Sequence, residues 1–223
     1  MEQRHFDKEL LQLKDRLLLM AARTEALINQ AIESLKKKDA AMAKGIYWLD
    51  KEIDAMEVEI EEQAVSLIAL HQPAAGDLRF LIGAIKINND LERIGDHGVN
   101  IAESAVRLAT QPDLKSLIDI PKMAALATGM LKDSLDGFVG ADPQKARDVC
   151  TRDDQVDDLK DQILRELIAI MTEKPDSIGR AMDLILISRN LERVADLATN
   201  ICEETIYIAD ATVIKHRVDQ RIE

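Results

Sequence analysis

Pairs of acidic residues four apart recur along this chain at matched places. Glu92 and Asp96 lie in NDLERIGDHGVNIAE (Asn89 to Glu103), and Glu192 and Asp196 lie in RNLERVADLATNICE (Arg189 to Glu203). Both strings keep Leu-Glu-Arg, an aliphatic residue, the Asp, then Asn-Ile and Glu, so Asn100 matches Asn200 and Glu103 matches Glu203. A second pair, Asp50 and Asp54, has its counterpart in Asp153 and Asp157. Residues four apart on a helix rise about 6 Å and share a face. Carboxylates placed this way repel by tenths of a kcal/mol, with nothing obvious in return. Two such pairs on adjacent helices would offer their oxygens to one spot, a donor set for Mg, Mn, Ca or Fe, with Zn possible. The spacing alone leaves a second reading open, because acids on a solvent-facing helix commonly serve solubility.

The flanking residues differ between the copies. Glu57 and Glu61 follow Asp54 on the same edge, whereas Lys160 and Leu164 stand at the corresponding places after Asp157. His97 adjoins Asp96 but points about 100° away on a helix, which favours packing or hydrogen bonding over ligation. Arg93 and Arg193 read as ion-pair partners for an acid of a neighbouring helix. Asp77 reads as an N-cap with Arg79 as a local partner, and Tyr47 and Trp48 as core or interface anchors. Cys202 has no second thiol or His near it in sequence, so no soft-metal site is expected. The chain shows no glycine-rich phosphate loop, nucleophile–base set or zinc-hydrolase motif. Its Glu-x-x-His spacing, Glu2 to His5, falls at a terminus expected to fray.

The elements that must position these acids are long helices. All five prolines, at 73, 112, 121, 143 and 175, fall where helical periodicity breaks. Between them apolar residues recur at helical spacing: Leu10 to Leu35, Ile46 to Leu67, then Ile87, Leu91, Ile94, Gly98, Ile101, Ala105 and Leu108 in the motif helix. Helix two is expected to start at an Asp39 cap and end at His71-Gln72-Pro73, and helix three to start near Asp77. The stretch from Thr110 to Pro121 reads as a linker. Later segments repeat the plan, with Met123 to Val139 matching the latter part of helix one. A fifth helix carries Val149, Val156, Leu159, Ile163, Leu167 and Ile170, and a sixth runs to about Ala211. The offset between copies is 103 residues from Asp50 to Asp153 and 100 from Glu92 to Glu192, so the second connection is shorter by three. The reading is an all-α protein of two tandem three-helix bundles, six long helices arising from an internal duplication. The repeats span residues 1–110 and 117–215. On a helical wheel Glu92, Asp96 and Glu103 lie opposite the core stripe of helix three, forming an exposed or partner-facing ridge. Leu78, Ile82 and Ile85 share that face and call for a further packing partner, either the other half or a second subunit.

Composition agrees and narrows the function. Of 223 residues 47% are hydrophobic, 31% charged and 3% aromatic, which fits a helical protein with a core. A formal charge of −12 disfavours nucleic acid and anionic membrane as direct partners. Two cysteines far apart in sequence suggest a reducing compartment rather than a disulfide framework. The charged start lacks a signal-peptide core, and no apolar run approaches the roughly 20 residues of a membrane helix, so a cytoplasmic location is expected.

ERIGDHGVNIAE, the upstream QPAAGDLR (Gln72 to Arg79) and ERVADLATNI in the second half together resemble the PhoU family of phosphate-transport accessory regulators. The likeness covers essentially the whole chain. It is looser in the second copy, where Ala195 and Leu197 replace Gly95 and His97. The resemblance implies a soluble protein, often dimeric, with multinuclear iron or zinc clusters. It maps metal ligands to Asp50, Asp54, Glu92 and Asp96 in one half and Asp153, Asp157, Glu192 and Asp196 in the other. The expected cofactors are divalent or trivalent ions, with Fe, Zn, Mn and Mg all open. It further implies a non-enzymatic regulator that links the ATPase of a phosphate ABC transporter to a sensor histidine kinase. Membrane contact would then come only through partners, and phosphate-starvation genes and uptake would be repressed when phosphate is plentiful. A metal-dependent phosphohydrolase and a purely structural scaffold are the alternatives.

Overall fold

The computed structural model describes residues 2–210, and the described residues contain helices and no strand. Seven α-helices follow in order: α1 (Glu2–Lys37), α2 (Ala40–His71), α3 (Ala75–Ala109), α4 (Asp119–Gly140), α5 (Pro143–Cys150), α6 (Asp153–Glu173) and α7 (Ile178–Asp210). Helices α1, α2 and α3 pack as one bundle, and α4, α5–α6 and α7 as the second. The fifth helix of the sequence reading is present but interrupted at Thr151 and Arg152, which divides it into α5 and α6. The end of the second repeat, residues 211–215, lies outside the described residues.

Local chemistry explains the breaks. Asp39 caps α2, its carboxylate accepting from the amides of Ala41 and Met42, and Asp142 caps α5 in the same way through Gln144 and Lys145. Pro143 then fills the first turn of α5, where no backbone donor is needed. Helix α2 ends with Gln72 in the left-handed region, φ 47°, and Pro73 follows. The start of α3 differs from expectation: Ala74 holds the cap position without a side-chain bond, and Asp77 stands exposed in the first turn. There its charge meets the positive helix end but takes no cap bond.

The core follows the apolar stripes. Leu13, Leu17, Leu27 and Ile28 of α1, Ile46, Ile53 and Ile60 of α2, and Ile87, Leu91, Ile94 and Ile101 of α3 are fully or almost fully buried. Gly98 lets α1 approach closely: a methyl there would fall on Leu27 and come within 2.9 Å of Ile28 Cδ1. The second bundle buries Met123, Met130, Leu131, Val156, Ile163, Leu191, Val194 and Ile201 in the same fashion.

The halves join chiefly through α3 and α7, with α1 and α4 adding a second contact. Lys86 bonds Glu204, His97 bonds Asn190 and Arg107 bonds Asp183, so α3 and α7 run antiparallel. Phe80 of α3 stacks on Phe138 of α4, with ring centroids 5.0 Å apart. The other half therefore meets part of the extra packing demanded by α3, with Ile85 against the core. Leu78 and Ile82 nevertheless stay exposed.

Candidate metal centre

In the first half the acids gather on the seam between α2 and α3. Asp50 is 8% exposed, its Oδ1 lying 3.1 Å from where a methyl on Gly95 would sit. Gly95 thus makes room for the carboxylate against the backbone of α3. Asp54 and Glu92 are half-buried, and Asp96 is exposed. The expected ridge is in part a seam, because α2 covers one flank of it. Burial first, then the charges of Asp54 and Asp96, push the Asp50 carboxyl up to about 6. Glu92 is also raised, by burial and then by Asp96, Asp54, Glu57 and Asp50. Both helices therefore direct negative charge at one region, and Glu57 joins the four residues chosen from the sequence. Lys51 bonds Asp54 at 3.0 Å from a position that is itself half in solvent.

The second half repeats the acids with different company. Burial, then Asp196 and Asp157, raise Asp153 to about 6, and Asp196 is raised by burial and then by Glu192. Here cations reach in. Lys160 Nζ lies 2.7 Å from Asp157 Oδ1 and 3.4 Å from Glu192 Oε1, joining α6 to α7. Arg193 lies 3.1 Å from Asp196.

The donor chemistry of the first half fits a hard cation: carboxylates held together by packing, two of them protonating more readily than usual, first through burial and then through one another's charge. Among the described residues, no three acidic, imidazole or thiol side chains already converge as a ready cage. Mutual repulsion between bare carboxylates favours that spread.

Other expectations fare unevenly. His97 takes the hydrogen-bonding role, its Nδ1 2.9 Å from Asn190 Oδ1 across the α3–α7 contact. Arg93 and Arg193 pair with acids of their own helices, Asp90 and Asp196, not with neighbours. The three-residue step along one helix is the shorter reach. No Asp77–Arg79 bond forms, and Arg79 Nε is buried without a hydrogen-bond partner. Tyr47 and Trp48 are 52% and 71% exposed, edge to face with each other outside the core. The structure also brings Cys150 and Cys202 together: Cys202 donates to Cys150, holding its own thiol far above the usual range and lowering that of Cys150. Sequence separation concealed this contact, which the packing of α5 against α7 creates. A cleft of about 560 Å³ opens beside the first cluster, with Glu57, Lys86, Asn89, Arg93 and Asn200 on its walls. The matched Asn200 was a visible signal for it, but only the antiparallel α3–α7 packing brings that residue to α2.

Comparison with known proteins bears on the whole chain. The PhoU domain matches this chain twice, over residues 17–105 and 120–205. The chain belongs to the PhoU family. Members named as phosphate-specific transport system accessory protein PhoU homologues include one from Aquifex aeolicus, 40% identical over 210 residues, 94% of this chain and 95% of that protein. Another, from Clostridium acetobutylicum, is 39% identical across 93% of this chain and 95% of its own length. The crystal structure of PhoU from Pseudomonas aeruginosa matches with a TM-score of 0.89 at 34% identity, covering 93% of this chain and all of that one. The phosphate transport system regulatory protein PhoU from Streptococcus pneumoniae matches at 0.87 and 31% identity, over 93% of this chain and 98% of its own. The family's double domain accounts for the tandem bundles. No helix among the described residues is long and apolar enough to cross a membrane.

Proposed function

We propose that this chain is a non-enzymatic, cytoplasmic regulator of phosphate homeostasis, acting as a homodimer. It couples the ATPase of a phosphate ABC transporter to a sensor histidine kinase, and represses phosphate-starvation genes and uptake when phosphate is plentiful. The observation that carries this reading is the match in both sequence and fold, over more than nine-tenths of the chain, to proteins named for phosphate-transport accessory and regulatory roles. Charge supports the choice of partners. At −12 the surface repels anionic lipid and nucleic acid and suits a protein with a basic face.

Within this reading Asp50, Asp54, Glu92 and Asp96 hold a metal ion, with Fe, Zn, Mn or Mg as candidates. A bound cation would supply the positive charge that the seam lacks. Asp50, which α2 packs against Gly95 of α3, and Glu92, half-buried beside it, would orient the oxygens; Asp54 and Asp96 would complete the set from the solvent side. The same residues hold the two helices at a set spacing, which is how the seam acts on the partner-facing surface.

Deletion in the native host tests the regulatory role, with alkaline phosphatase expression measured at high phosphate. Constitutive expression is expected, and unchanged repression would remove the proposal. Phosphate release by metal-loaded protein that disappears in Glu92→Gln would overturn its non-enzymatic part.

A further inference from the structure

The two acidic seams are not equivalent, and the difference lies in the cations around them. In the second half Lys160 extends from α6 to touch Asp157 of its own helix and Glu192 of α7, at 2.7 and 3.4 Å, so one ammonium already bridges the helices that a metal would bridge. Lys160 and Glu192 are 25% and 20% exposed, which makes that contact less screened than an ordinary surface pair, whereas Asp157 stands half in solvent. The equivalent residue in the first half is Glu57, of opposite charge.

The arginines reinforce the contrast. Arg93 is drawn to Asp90, one turn back and away from Asp96. Position 190 is Asn, which donates to Leu186 O and meets His97, so it offers Arg193 no charge. Arg193 turns forward instead, to within 3.1 Å of Asp196. Two cations therefore serve the second seam, one spanning both helices. The first has Lys51, which reaches a single carboxylate, Asp54, from the solvent side.

We infer that Lys160 is the built-in counter-ion of the second seam, so that this chain takes its metal in the first repeat and closes the matching site in the second. The inference rests on the metal reading of the first seam. A cation entering the second would have to displace an ammonium from both carboxylates or sit beside it, and like charges a few ångströms apart repel. Asp157 and Glu192 then act as a salt-bridged clasp between α6 and α7, with Asp196 paired to Arg193 and Asp153 half-buried beside them.

The test is equilibrium binding of Mn²⁺ to the full chain after chelator treatment, followed by electron paramagnetic resonance of the free ion. Mn²⁺ prefers oxygen donors and so avoids the Cys150–Cys202 pair. Wild type, Glu92→Gln/Asp96→Asn, Glu192→Gln/Asp196→Asn, Lys160→Glu and Lys160→Gln are compared, with circular dichroism confirming the fold of each. Wild-type binding should vanish in the first double variant and persist in the second. In Lys160→Glu the bound Mn²⁺ per chain should about double, with Lys160→Gln showing a smaller gain. Loss of part of the wild-type binding in Glu192→Gln/Asp196→Asn would overturn the inference while leaving the metal reading intact. Binding in Lys160→Glu but not in wild type would keep Lys160 as the gate and remove the first-seam reading. Absence of binding in every variant would overturn both.

Discussion

Replacing Asp50 by Asn should stabilise the metal-free protein at neutral pH, although the residue is buried and polar. Asp50 titrates near 6 in the fold against an ordinary 3.8, chiefly through burial and then through Asp54 and Asp96. Between these values the folded chain binds a proton that the unfolded chain has released, so stability falls as pH rises from about 4 to about 6. Above that range the whole penalty is present. A shift of this size corresponds to an upper bound of about 3 kcal/mol. Solvent reaching the open side of the seam reduces this to about 1–2 kcal/mol. Asn keeps the shape and removes the charge. Its melting temperature at pH 7.5 in chelator should exceed wild type by about 2–4 °C for each kcal/mol. At pH 4 the two proteins should melt together, since both are then neutral at this position. Calorimetric scans at the two pH values decide. A lower melting point for Asp50→Asn at pH 7.5, or an advantage undiminished at pH 4, would refute the picture of a charge held against its own electrostatics.

The helix contacts yield further expectations. Gly98→Ala should destabilise by about 1–3 kcal/mol through collision with Leu27 and Ile28, whereas Gly45→Ala, which meets nothing within 4 Å, should gain up to about 1 kcal/mol; denaturant midpoints of the pair should move in opposite directions. Lys86→Met takes the ammonium from the nearly buried Glu204 carboxylate at 2.9 Å, for a loss of about 1–3 kcal/mol in urea unfolding. Iodoacetamide at pH 8 should label Cys150 well before Cys202, which stays protonated and buried; peptide mass spectrometry showing the reverse order would contradict the direction of their hydrogen bond.

The helices were legible because helical order is written in local terms. Asp39 and Asp142 announce their caps, prolines mark the breaks, and apolar residues at three- and four-residue steps become the buried stripes of α1, α2 and α3. The recurrence of Glu92 with Asp96 and of Asp50 with Asp54 exposed the duplication, and with it the acids worth attention. Periodicity could not divide α5 from α6, since Thr151 and Arg152 keep near-helical backbone angles and leave the apolar rhythm unbroken. Nor could a helical wheel, which treats each helix as alone, see that α3 covers Asp50 while Tyr47 and Trp48 face water.

What the sequence determined by itself is the set of acids, their repetition and the helices that carry them. Which cations stand among those acids was decided only in three dimensions. Lys160 and Glu57 occupy matched places in the chain, yet their opposite effects depend on how close α6 and α2 bring them to Glu192 and Glu92. The meeting of Cys150 with Cys202, and of His97 with Asn190, depends likewise on helices crossing far from their neighbours in sequence. Electrostatics and thiol chemistry act over a few ångströms of space, a distance that residue numbers do not record.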